Sequence, residues 1–138
     1  MALIKDKFEF RVRYCDTDKM GIVYNGNYLS YFEIGRTELL RNIGMSYHYI
    51  EEMGYYLPLL GANLEFIKSA KYDDIIRIET EIESELKVRF TFNYKIYRNN
   101  ELLTIGSTTH CFMDIPTMKP ARPPKFFIEF VQNHINSL

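Results

Sequence analysis

Tryptophan is absent from this chain, cysteine occurs twice, histidine three times, and charge of neither sign predominates. Each scarcity removes a class of explanation. Cys15 and Cys111 cannot build a disulfide framework and lack metal-ligand spacing. Both are read as free thiols, packed in strands rather than reactive. A net charge of −1 with no long basic run gives no footprint for nucleic acid. No apolar stretch approaches the roughly 20 residues of a membrane span. The first eight residues lack the apolar core of a signal peptide, and the expected location is cytoplasmic. Neither an internal repeat nor a low-complexity segment is present.

What the chain does contain is aromatic: 11 tyrosines and 10 phenylalanines, a globular rather than a disordered composition. Its 138 residues predict one domain, 1–138, large enough for a real core. Phe8, Phe10, Val12 and Tyr14 alternate with Glu9, Arg11 and Arg13, the pattern of a half-buried strand. Tyr28, Phe32, Leu39 and Ile43 then recur at helical spacing, widened by Leu29, Tyr31, Ile34 and Leu40. Gly44 supplies the stop. So broad an apolar arc predicts a helix buried on most sides, with Glu33, Arg36, Glu38 and Arg41 on the remaining positions. Glu33 and Arg36 are expected to form a surface ion pair.

A short helix over Ser46 to Glu52 is expected next, and after it only strands. Leu57 to Lys68 is one, with Pro58 near its start. Ile76, Ile78, Thr80 and Ile82 mark a second, and Val88, Phe90, Phe92, Tyr94 and Ile96 a third. Asn99-Asn100 reads as a tight turn, because Asn tolerates positive φ. Leu103, Ile105, Ser107, Thr109 and Cys111 form one face of the last strand. A loop with Pro116, Pro120, Pro123 and Pro124 leads to an amphipathic helix over Phe126 to Ile135. The expectation is an α+β fold with one antiparallel sheet of about five strands wrapped around the long helix.

The chemistry concentrates between Tyr14 and Arg36. Asp16 and Asp18 follow the first strand and precede the Gly- and Asn-rich turn that opens the helix. A carboxylate there lies beside a helix N-terminus, whose unpaired N–H groups favour developing negative charge. That is the minimum equipment for hydrolysing an activated acyl group. Taken alone, Asp16-Thr17-Asp18 is more often a turn or a cap. A calcium loop fails on its ligands, with Met20 at its fifth position and Asn27 at its twelfth.

The order D-x-D-x-x-G-I/V-V-Y-x-x-x-Y, followed by F-E-x-x-R-T-E-L-L, resembles the hotdog-fold acyl-CoA thioesterases over essentially the whole chain. The branch of 4-hydroxybenzoyl-CoA thioesterase and of the Tol-Pal-associated thioesterase is the most similar. The resemblance implies a catalytic Asp18. It also implies a backbone N–H near Asn25, with Gly26, that polarises the thioester carbonyl, and an active site at a dimer interface. Many Tol-Pal-associated members carry His where this chain has Asn25; the hydroxybenzoyl branch does not. Acyl-CoA is the implied substrate, with coenzyme A entering as part of it and no metal or other cofactor required. A homodimer or homotetramer is implied as well.

Around that core, Asp16 is read as a structural hydrogen-bonder. The cluster of Tyr24, Tyr28, Tyr31 and Phe32 is read as mostly core, with Tyr24 and Tyr28 as candidates to line an acyl pocket. Glu33 is a further candidate near a neighbouring subunit's thioester. Tyr47, Tyr49, Tyr55 and Tyr56 suit either a pocket wall or an oligomer contact. Lys68, Lys71, Arg89, Lys119 and Arg122 are candidates for coenzyme A phosphates. A non-catalytic acyl-CoA or acyl-carrier binding module is the alternative function. A hydratase would need a histidine near an acid, and none lies between Asp16 and Arg36.

Overall fold

The computed structural model describes residues 3–83 and 85–137. Its elements in chain order are β1 (Leu3–Arg11), a 3₁₀ turn (Tyr14–Asp16), α1 (Asn27–Asn42), α2 (Tyr47–Glu52), β2 (Tyr55–Tyr56), β3 (Leu59–Phe66), β4 (Ile75–Glu83), β5 (Arg89–Arg98), β6 (Glu101–Asp114), β7 (Lys119–Ala121) and α3 (Lys125–Asn136). All strand pairings are antiparallel. The long strands run β1-β4-β5-β6-β3, and the short β2 and β7 extend β6. This is the expected hotdog architecture, a sheet curled over one long helix. Two elements differ from expectation. The expected Leu57–Lys68 strand is shorter, Leu59–Phe66, and Leu57 and Pro58 separate it from an unexpected two-residue strand, β2. The proline-bearing loop also holds a three-residue strand, β7, paired to the end of β6.

Helix α1 buries one stripe, not most of its circumference. Tyr28, Tyr31, Phe32, Gly35, Arg36, Leu39 and Leu40 are buried, while Leu29 and Glu33 are exposed. The expected Glu33–Arg36 surface pair is therefore wrong. Arg36 lies within the buried stripe, and its Nε donates to the Tyr47 hydroxyl at 2.9 Å. Partners distant in sequence keep a guanidinium there, because a buried cation needs hydrogen-bond acceptors.

Two glycines seat the helix. A Cβ on Gly35 would come within 2.5 Å of Thr80 Oγ1 and 2.8 Å of Ile78 Cδ1, so the helix meets β4 at backbone distance. A Cβ on Gly106 would overlap the Phe32 ring, which stacks on Tyr94 with centroids 4.3 Å apart. On β6 the inward face is therefore Thr104, Gly106, Thr108, His110 and Phe112, opposite the row that begins at Ile105. Small and polar residues suffice on that face because aromatics of α1 and β5 fill the space above it. Cys111 is buried as expected, but Cys15 is exposed on the 3₁₀ turn. Toward the C-terminus, α3 closes the core, with Phe127 against Phe112 and Phe126 against Tyr49 and Tyr55.

Candidate active site

Between β1 and α1 the chain folds back on itself. Thr17 bridges Val23, Asp18 N–H donates to Ile22 O at 2.9 Å, and Tyr24 N–H donates to Asp16 O at 2.9 Å. Gly21 closes the tip with φ +77°, where a Cβ would be strained, and its N–H donates to Asp18 O. Asp18 is half-buried in this turn, and its Oδ1 accepts the Met20 N–H at 2.8 Å. One carboxylate oxygen is thus oriented by the backbone. The other has no protein donor among the described residues.

Asp16 has the structural role expected of it. Its Oδ2 accepts the Arg13 N–H at 3.1 Å and the Tyr31 hydroxyl at 3.0 Å, and its Oδ1 accepts Arg13 Nη2 at 3.1 Å. Its carbonyl accepts Asn27 Nδ2 at 2.7 Å. Burial alone would raise the Asp16 pKa, but these hydrogen bonds outweigh it and hold the carboxyl below the ordinary range. Asp16 therefore clamps the end of β1 to the first turns of α1. Sequence reading missed Tyr31 as its partner. The signal available is only that Tyr31 carries a hydroxyl into a largely apolar stripe, where it must find a partner.

The helix start lies next to the turn. Gly26 is the N-cap of α1, no side chain caps it, and the first turn carries no acid. Asn27 N–H and Tyr28 N–H are taken by Tyr24 O and Asn25 O. Among the described residues the N–H groups of Asn25 and Gly26 have no acceptor, so both remain available at the positive end of the helix. The Tyr24 ring folds over Gly26, where a Cβ would lie 2.7 Å from Tyr24 Cε2. This explains why Tyr24 is 59% exposed, against the core role expected for it, whereas Tyr28, Tyr31 and Phe32 are buried. Tyr28 packs edge-on to Phe66 at the end of β3, with ring centroids 5.2 Å apart.

The turn that carries Asp18 thus runs directly into Tyr24, Asn25 and Gly26 at the start of α1. Tyr28 lies buried in the first turn of α1, and Glu33 stands exposed further along the helix. Of the candidate phosphate contacts, only Lys71 lies against the turn, its backbone bridging Ile22 with its side chain exposed. Lys68 is paired with Glu101 at 2.6 Å. Arg89 pairs with Cys111 across β6 while Ala121, next to Arg122, pairs with Phe112. That places Arg89, and Arg122 near it, at the end of β5 remote from Arg98 and Asp74. His110 is fully buried and stands apart from Asp18 on the inner face of β6.

A model of the thioesterase-like superfamily matches residues 12–131, which span the turn, the helix and the sheet. The chain belongs to that superfamily. Thioester hydrolysis is the class of activity that this membership gives it. The acyl-CoA thioesterase YbgC of Haemophilus influenzae is 32% identical over 119 residues, covering 86% of this chain and 88% of that protein. The DHNA-CoA thioesterase of Staphylococcus aureus superposes with a TM-score of 0.86 at 31% identity, covering 97% of this chain and 92% of the other. The 4-hydroxybenzoyl-CoA thioesterase of Pseudomonas sp. strain CBS-3 superposes with a TM-score of 0.80 at 22% identity, over 91% and 98% of the two chains, a likeness of fold alone.

Proposed function

We propose that this superfamily member hydrolyses acyl-CoA thioesters, releasing a carboxylic acid and free coenzyme A, with Asp18 as the reacting carboxylate. The observation that carries this reading is the turn that runs from Asp18 into the start of α1, where the N–H groups of Asn25 and Gly26 have no acceptor among the described residues. In the general-base route, Asp18 takes a proton from water as the oxygen adds to the thioester carbonyl carbon. The carbonyl oxygen becomes negative, and the N–H groups of Asn25 and Gly26 hold it. Collapse of the tetrahedral species breaks the C–S bond, and the thiolate leaves with a proton. In the nucleophilic route, Asp18 attacks the carbonyl carbon, the C–S bond breaks and expels the coenzyme A thiolate, and water hydrolyses the anhydride formed. Neither route calls for a metal or a redox cofactor. Tyr24, over the helix cap, and Tyr28, beneath it, line the acyl side of the site, and Glu33 faces it from a second copy.

The whole of residues 1–138 acts as one domain, assembled as a homodimer or homotetramer in the cytoplasm. Support for assembly is the edge of the sheet. Among the described residues β3 is paired on one side only, to β6, and Leu59, Leu60, Phe66 and Ile67 along and just beyond it are exposed. A second copy on that edge would also reach Phe66, which packs on Tyr28 at the site. Light scattering that shows a stable monomer at micromolar concentration refutes this part.

The test of the chemistry is release of free thiol from a panel of acyl-CoAs, followed with a thiol-reactive dye. Asp18→Asn keeps the shape but can neither take a proton nor attack. It should lower kcat by about a hundredfold or more while the melting temperature holds. Wild-type kcat in that variant removes Asp18 from the reaction. Binding of acyl-CoA without turnover in the unmodified chain supports the non-catalytic module instead.

A further inference from the structure

The turn that carries Asp18 does not stand by itself. Its backbone bonds outside the hairpin go to the connection between β3 and β4. Val23 N–H donates to Ala70 O at 2.9 Å, Tyr72 N–H donates to Gly21 O at 3.2 Å, and Ile22 bridges Lys71. That connection is a bent segment, with Asp73 at φ +72°, a conformation costly for a non-glycine residue. Arg11 Nη1 donates to Asp73 O at 2.9 Å, and Asp74 ties the segment from its other end. Its Oδ2 accepts the Lys71 N–H at 2.9 Å and Nη1 of Arg98 at 2.8 Å, while Val12 N–H donates to Asp74 O at 2.8 Å.

Arg98 comes from the end of β5, the strand paired to β4. Its second Nη donates to Glu101 Oε1 at 2.5 Å, across the Asn99–Asn100 turn, and Glu101 also receives Lys68 Nζ at 2.6 Å. The planar guanidinium is therefore a fork with one tine on the β5–β6 hairpin and the other on the segment that backs the Asp18 turn. Arg98 and Asp74 are only 27% and 22% exposed, so water competes weakly for this pair.

We infer that Arg98 is a positioning residue for Asp18, acting through Asp74 and the backbone of residues 70–72. This rests on Asp18 as the reacting carboxylate. A carboxylate on a tight surface turn must be held to a fraction of an ångström, and a displacement of about 1 Å can cost up to about a hundredfold in rate. The fork fixes the turn from behind without touching substrate. A purely structural role would stabilise the sheet edge and leave the geometry at Asp18 unchanged in the folded molecules.

The test compares Arg98→Met and Arg98→Lys with the unmodified chain, by steady-state kinetics on one acyl-CoA and by hydrogen exchange. In Arg98→Met, kcat should fall between about tenfold and a hundredfold with KM nearly unchanged. Amide exchange in the peptide over residues 18–23 should speed up by about tenfold or more relative to peptides in β4 and β6. Arg98→Lys, which keeps the charge and one of the two contacts, should restore part of both. Protection of residues 18–23 that is unchanged, or lost in step with the strands, overturns the inference. So does a KM effect without a kcat effect. The exchange arm decides the positioning even if Asp18 is not the reacting group, and Asp18→Asn tests that separately.

Discussion

His110 makes the fold sensitive to acid in a way whose size follows from its surroundings. Its ring is wholly buried on the inner face of β6. Nδ1 lies 3.3 Å from Leu57 O, a pure acceptor, so Nδ1 carries the proton. Nε2 then accepts from the Thr108 hydroxyl at 2.9 Å, and Thr108 Oγ1 accepts from the Tyr94 hydroxyl at 2.6 Å. This tautomer is assigned from the network. A second proton on Nε2 would break the chain of donors at Thr108. Burial, with the Arg36 cation behind it, lowers the His110 pKa to about 4 from an ordinary 6.5. The unfolded chain thus binds a proton between pH 6.5 and 4 that the folded chain refuses, so stability rises with pH across that window. From pH 7 to 4 the loss is about 3 kcal/mol. The assay is urea unfolding at pH 4, 5, 6 and 7, at one protein concentration, on the unmodified chain and His110→Gln. The variant should lose about 3 kcal/mol less across the range. Other carboxylates titrate nearby, among them Asp6, whose raised pKa from burial stabilises the fold on acidification; taking the difference between the two proteins removes them. Equal pH slopes, or a His110 imidazole signal in the folded protein that titrates near 6.5, would refute the reasoning.

Three further outcomes are expected. Asn25→Ala keeps the backbone donor and should change kcat little, whereas Asn25→Pro removes it and should cost about 3 kcal/mol of barrier, measured beside a melt and a dimer check. Asp16→Asn should weaken the clamp on Arg13 and Tyr31, lowering the melting temperature at least as clearly as it lowers turnover; the depressed Asp16 pKa adds stability that is lost only as pH falls below about 3.8, outside the His110 window. Gly106→Ala forces a methyl into the Phe32 ring and to 2.9 Å from Asn63 O, neither able to retreat far, and should cost about 3 kcal/mol, or a melting temperature lower by about 10 °C.

Local signals in the chain were read well because their causes are local. Ser46 caps α2 by accepting the Tyr49 N–H, and Asn99 takes φ +56° at the tip of the β5–β6 hairpin. The strand alternation of β4 and β5 is matched by their burial. The failures have causes that lie far along the chain. Arg36 looks like a surface residue until Tyr47 reaches it from α2. The inner face of β6 is written in Thr104, Gly106, Thr108 and His110, which carry no hydrophobic signal, because Phe32 of α1 supplies the bulk. Tyr24 reads as core among its aromatic neighbours, yet the cap at Gly26 turns its ring outward. β7 is too short for any period to reveal it.

The candidate site shows the same division. Asp16 and Asp18 stand two residues apart with the same side chain, and the sequence separates their roles only through the resemblance. The structure separates them by their partners: Asp16 has four donors on its carboxylate, from Arg13, Tyr31 and the Cys15 thiol, whereas Asp18 has one among the described residues, the Met20 N–H. A carboxylate saturated with donors is a poor base and a poor nucleophile, since its lone pairs are engaged and its pKa is depressed. One with a single orienting bond keeps a free oxygen in a fixed direction. The electrophilic half of the proposed site is made of backbone N–H groups, so it does not depend on the side chain at position 25. That makes Asn25 compatible with the chemistry proposed for this turn. It also places the burden of precision on whatever holds the backbone there, which in this fold is the Asp16 clamp on one side and the segment 70–74 on the other.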